Sequence, residues 1–128
     1  MTGKIQSLAK DTIADFTKGE DKIVLDKGIF SKISSGAGEP VIVYSNDNAE
    51  QWTSLAATSF ATIGSDGAAL TTTSSAAILY SPSTGNLFYN QNGAIAGLGG
   101  GTSDSFANVS GNPLLTASDF SVYEYIVG

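Results

Sequence analysis

The chain has 128 residues, enough for one domain that closes a single core without staples, and a formal net charge of −6. It contains neither Cys nor His, which excludes disulfide frameworks, thiolate chemistry, zinc sites of the usual ligand types and histidine acid–base catalysis. All six Lys lie within the first 32 residues and there is no Arg, so residues 33–128 carry seven acids and no cation; that balance argues against nucleic acid and anionic membrane surfaces as partners.

Along the chain, the opening MTGKIQSLAK has no apolar leader core, and no run is long enough to span a bilayer. Export would therefore rest on an uncleaved signal elsewhere. DTIADF at 11–16 alternates like a strand, which places Asp11, Ile13 and Asp15 on one face and Thr12, Ala14 and Phe16 on the other. TKGE then turns the chain at Gly19 and returns Asp21 toward Asp15. KIVL at 22–25 reads as a strand, GIFSKI as one helical turn, SSGAGEP as a loop and VIVY at 41–44 as a strand.

NAEQWTSLAATSFA predicts a helix, because Trp52, Leu55, Ala56 and Phe60 recur near the 3.6-residue period and Asn48 suits its cap. AILY at 77–80 and NLFY at 86–89 flank SPSTGN and predict a hairpin, with Pro82 early in the turn and Gly85 at positive φ. In its second arm Leu87 and Tyr89 share one face and Phe88 and Asn90 the other, so the arm is expected to be covered on both sides. GAIAGLGGGTSD reads as a flexible loop and not as a calcium-binding nonapeptide, since Asp104 sits at the wrong offset. LTASDF predicts a short turn in which Thr116 and Asp119 form a capping box, and SVYEYIV at 121–127 a final strand. Gly, Ser and Thr make up about a third of the chain and separate these segments. The expectation is a single domain over 1–128, mainly β: a small β-sandwich or β-roll-type cap with one or two short helices.

Three sets of side chains invite a functional reading. Trp52, Tyr80, Phe88, Tyr89, Tyr123 and Tyr125 offer flat apolar surfaces of the kind that bind sugars, yet at strand spacing aromatics pack as core or cross-strand pairs. Asp104 and Asp119 are a formal acid–base pair, but no activated nucleophile or deep-cleft signature accompanies them, so no enzyme is expected. The acids of the first segment are of the oxygen type that calcium takes six to eight of. The plain alternative is that they cap turns and guard strand edges.

Residues Asp11, Ile13, Asp15, Phe16, Gly19, Asp21, Ile23 and Leu25 spell D-x-I-x-D-F-x-x-G-x-D-x-I-x-L. This pattern resembles the segment that follows the last repeats of RTX (hemolysin-type calcium-binding) proteins, as in the C-terminal part of serralysin-type proteases and in cyanobacterial relatives. ILYSPSTGNLFYNQNG and NPLLTASDF are similar to the hairpin and the near-terminal D-F element of such proteins. The resemblance implies a non-catalytic, secreted C-terminal module that lies after a calcium-bound β-roll and leaves the cell through a type I secretion system. It implies that Asp15 and Asp21, with Asp11 beside them, serve a terminal Ca²⁺ site. It also implies that DFSVYEYIVG contributes to the export signal. The nonapeptide repeats themselves are absent, and Ser81, Asn90 and Asn92 stand where relatives carry Asp. The competing expectation is an extracellular adhesion module for a glycan or protein partner, centred on Trp52; a purely structural tail is the third.

Overall fold

A computed structural model describes residues 4–5, 11–99 and 104–127. Among these residues ten strands form two five-stranded mixed sheets, as in a small β-sandwich. The first sheet has the order β1 (Lys4–Ile5), β3 (Ile23–Asp26), β10 (Phe120–Val127), β5 (Asn48–Ser54), β4 (Val41–Ser45). The second has the order β2 (Asp11–Ile13), β9 (Ala107–Val109), β8 (Asn86–Tyr89), β7 (Ile78–Ser81), β6 (Phe60–Thr62). Helical structure among the described residues is limited to three 3₁₀ turns, Ala57–Ser59, Gly67–Leu70 and Ala117–Asp119. The mainly β expectation holds.

Alternation explains the core. Ile23 and Leu25 of β3, Phe120 and Val122 of β10, Ile78 and Tyr80 of β7, and Leu87 and Tyr89 of β8 point into one buried cluster between the sheets. Leu79 and Phe88, the intervening residues of the β7–β8 hairpin, join Ala69, Ala76 and Leu98 in a second cluster on the other face. The hairpin is thus covered on both sides, as its sequence led us to expect. It pairs Ile78 with Tyr89 and Ser81 with Asn86. Gly85 closes it at φ 82°, where a Cβ would come within 2.4 Å of the Val109 carbonyl oxygen. The position therefore demands glycine on two counts. The GIFSKI segment makes one α-turn, Phe30 N–H to Asp26 O at 2.8 Å, which delivers Phe30 and Ile33 into the core.

Two local expectations are corrected. Residues 48–61 are not a helix: β5 occupies Asn48–Ser54, then come the 3₁₀ turn and β6. β5 lies between β4 and β10, so ladders on both sides satisfy its backbone, and the two-residue turn Asn46–Asp47 starts it in hairpin register with β4. Tertiary pairing overrides a helical period that Thr53 and Thr58 already weaken. The strand at 11–16 is also shorter than its pattern suggests. It ends at Ile13, and Asp15 takes a left-handed φ of 59°, so Asp15 does not continue the Asp11–Ile13 face. Most of the opening decapeptide and the glycines at 100–101, read above as part of a loop, lie outside the described residues.

The first three strands follow a distinctive path. β1 lies in the first sheet, β2 in the second and β3 in the first again, and β1 and β3 pair parallel, Lys4 opposite Val24 and Ile5 opposite Leu25. β2 pairs parallel with β9, and β3 parallel with β10. Next to β10 and β9 the ladders turn antiparallel, β10 with β5 and β9 with β8, while at the other end of the second sheet β6 pairs parallel with β7. Each sheet is therefore parallel on the side of β1 and β2, which end their sheets.

Candidate functional site

The segment Asp15–Asp21 is a tight, self-capped turn. The Asp21 carboxylate accepts the Thr17 N–H at 2.8 Å, and the Asp21 N–H returns to Thr17 O at 2.8 Å. Gly19, at φ 89°, makes that closure possible. Asp15 is exposed and Asp21 half-buried. Asp11 lies on β2 opposite Ala107, half-buried, with its N–H donated to Phe106 O at 2.9 Å. Asp15 and Asp21 thus bracket one turn, whereas Asp11 belongs to the ladder before it. Asp26 caps the next turn, accepting the Gly28 N–H at 2.8 Å.

The turn also holds two cations that a search for acids passes over. Lys18 reaches Asp119 Oδ2 at 2.5 Å, and Lys22 donates to the Ser118 carbonyl. Asp119 is buried and accepts the Thr116 N–H at 2.8 Å as well, completing the expected capping box of the 3₁₀ turn Ala117–Asp119. Two short motifs about a hundred residues apart are thereby locked face to face: DFTKGED and LTASDF. The linear pattern carried no signal for this pairing: the six Lys share the first 32 residues with five acids, and Lys27 bonds locally, to the Ile33 carbonyl. Asp104, the other member of the formal acid pair, is exposed and accepts the N–H of its neighbour Ser105 at 2.8 Å.

Among the described residues no three or more His, Cys, Asp or Glu side chains gather where they could hold a metal ion. The oxygen donors at 15–21 are of the right kind for calcium, but two carboxylates fall well short of its six to eight ligands.

The aromatic set divides. Tyr80, Phe88 and Tyr89 are buried in the core. Tyr123 is buried too, packed edge-on against Trp52 at 4.9 Å between ring centroids. Burial first, then a hydrogen bond to and the charge of Glu50, raise the Tyr123 phenol above its ordinary value. Trp52 remains half-exposed and lines a groove of about 410 Å³ with Lys22, Glu39, Val41 and Ser121.

Compared with protein-family models, with curated proteins and with solved structures, the chain matches none. No helix among the described residues is long and apolar enough to cross a membrane.

Proposed function

We propose that the chain is a non-catalytic capping and export module of an RTX-type secreted protein, closing the end of a parallel two-sheet β-coil with calcium as an accessory stabiliser. One observation carries this reading: β1, β2 and β3 alternate between the sheets, and the chain returns to pair parallel with itself after twenty residues, Lys4 opposite Val24. That is the path of a single coil of a parallel solenoid. A preceding coil would add one strand to β1 and one to β2, continuing the evenly spaced, slanted bonds of a parallel ladder. On the far side the antiparallel hairpins β4–β5 and β7–β8 interrupt the repetition, with β6 added parallel to β7 at the edge of the second sheet, and such an interruption is what a terminal cap has to provide.

Calcium enters at Asp15 and Asp21. Their carboxylates would hold the ion together with water and oxygens of an adjoining coil, and the ion would neutralise their mutual repulsion. Extracellular sites of this sort bind at ~10⁻⁴ to 10⁻³ M, so the chain crosses the envelope unfolded in low calcium and is stabilised outside by mass action. β10, the last strand, doubles as part of the export signal.

The test is a graft of the chain behind eight synthetic calcium-binding nonapeptides, followed by circular dichroism during calcium titration. The linked chain is expected to lower the calcium midpoint of the array by about threefold or more, because a capped solenoid end buries an otherwise open edge. An array that folds at the same calcium concentration with and without the chain overturns the capping reading.

A further inference from the structure

At the opposite end of the first sheet from β1 lies β4, and its surface is anomalous. Val41, Ile42, Val43 and Tyr44 are 60, 40, 50 and 76 % exposed, four consecutive apolar residues on a strand that ends its sheet. Proteins ordinarily blunt such an edge with charge, proline or a bulge; here Glu39 and Pro40 stand just before the strand, but within Val41–Ser45 none of these occurs, and such a stretch is a template for another strand. The pairing tells which backbone groups are on offer. Ser45 and Asn48 flank the two-residue turn and so exchange both bonds; by the alternation of an antiparallel ladder, Val43 and Val41 also bond to β5. Ile42 and Tyr44 therefore turn their N–H and C=O groups toward the open edge.

Side-chain direction adds specificity. Val41 stands directly opposite Trp52 and so shares its face, beside the groove that Glu39 and Lys22 also line. Ile42 and Tyr44 occupy the other face. The charges at the two ends of β4 are of one sign: Glu39 and Asp47 are exposed, Glu50 lies opposite Val43, and no Lys or Arg occurs after Lys32. Lys22, the cation in the groove, is engaged by the Ser118 carbonyl.

We propose that β4 is a docking edge for an extended apolar peptide flanked by basic residues, which adds as a sixth strand to the first sheet. Backbone bonds to Ile42 and Tyr44 supply the pairing, alternate side chains lie against Val41, Val43 and Trp52, and the flanking cations meet Glu39 and Asp47. A second copy of this chain is the poorer occupant. The antiparallel register that uses both open residues sets Ile42 against Tyr44 of the copy and thereby brings Glu39 against Asp47 at both ends, between molecules that each carry −6. This edge is distinct from β1 and β2, so the inference stands apart from the capping reading.

The experiment uses the full chain and a fluorescent nine-residue peptide of alternating valine and threonine with two lysines at each end, read by anisotropy. Binding is expected at about 50 mM salt, weakening severalfold at about 300 mM as the flanking charges are screened. A peptide with glutamates in place of the lysines should bind at least about tenfold more weakly. Ile42→Pro removes one outward N–H without touching the β5 ladder and should abolish binding, with the far-ultraviolet spectrum as a check on folding. Ile42→Lys keeps that N–H and repels the basic peptide, and should weaken binding by about tenfold as well. No binding of the basic peptide, equal binding of the acidic one, or undiminished binding by both variants overturns the proposal. So does sedimentation showing a dimer that Ile42→Pro dissociates, since β4 would then belong to a second copy.

Discussion

Lys18 and Asp119 meet at 2.5 Å across 101 positions of sequence, joining the turn after β2 to the turn before β10. Asp119 is nearly inaccessible and also accepts the Thr116 N–H, whereas Lys18 is half-exposed. The two partners should therefore respond unequally to substitution. Asp119→Ala leaves the Thr116 N–H and the lysine without their acceptor and is expected to cost about 2 kcal/mol. Lys18→Met loses a pair largely screened by solvent and should cost about 0.5 kcal/mol or less. Urea unfolding of both variants measures the ratio; equal losses would mean that the ion pair, not the cap, sets Asp119's contribution.

Calcium and Asp21 can be separated from the fold itself. In Asp21→Asn the amide oxygen still accepts the Thr17 N–H, so the turn keeps its cap while the site loses a negative ligand. In millimolar calcium the wild-type melting temperature is expected to rise on the order of 5 °C over that in EDTA. The variant should melt close to the wild type in EDTA and show no calcium response. A wild-type curve indifferent to calcium would leave the acids as turn caps and remove calcium from the proposed function.

Tyr80 sets an alkaline limit. Its ring is fully buried and its hydroxyl donates to Pro113 O at 2.6 Å. Burial raises the phenol above its ordinary value of about 10. The unfolded chain then gives up this proton first, so the stability is complete below about pH 10 and is lost as pH rises through the folded value. Tyr123 shifts in the same direction and adds to the effect. Tyr80→Phe is expected to cost about 1 to 2 kcal/mol at neutral pH, through the orphaned carbonyl, and to flatten the decline above pH 10. An alkaline limb identical in the two proteins excludes the buried phenol as its source.

Export and folding should respond to different changes in the last strand. Phe120 is buried in the main core, and Phe120→Ala is expected to destabilise the fold by about 3 to 5 kcal/mol. A chain that crosses the envelope unfolded does not need that packing, so a reporter fusion with Phe120→Ala should still be exported through a type I system. Removal of residues 119–128 should abolish its export. Normal secretion of the truncated fusion would show that the signal lies elsewhere.

Much of this architecture was written locally. The hairpin around SPSTGN, the positive φ at Gly19 and Gly85, the Thr116–Asp119 capping box and the strands at 41–44 and 121–127 each depend on residues within one turn or one alternation of each other. Their physics is that of backbone sterics and period-two burial, which a linear string displays. The candidate site was legible only as a run of acids. That Asp21 spends a carboxylate oxygen on Thr17, and that Lys18 and Lys22 tie the turn to residues 118–119, depends on where a distant segment comes to rest.

The sequence alone determined the class of structure, the exclusion of thiol and imidazole chemistry, and the acidic character of everything after Lys32. These are sums and periods over composition, and no partner is needed to compute them. Tertiary structure alone decided that residues 48–54 are a strand and not a helix, since their bonds are made to β4 and β10. It alone decided that the C-terminal strand sits in the middle of its sheet, between β3 and β5, and that VIVY is left with an open side. Strand neighbours are fixed by non-local pairing, whose closure entropy and bonds depend on the whole chain, so an edge and a centre can look alike in one dimension.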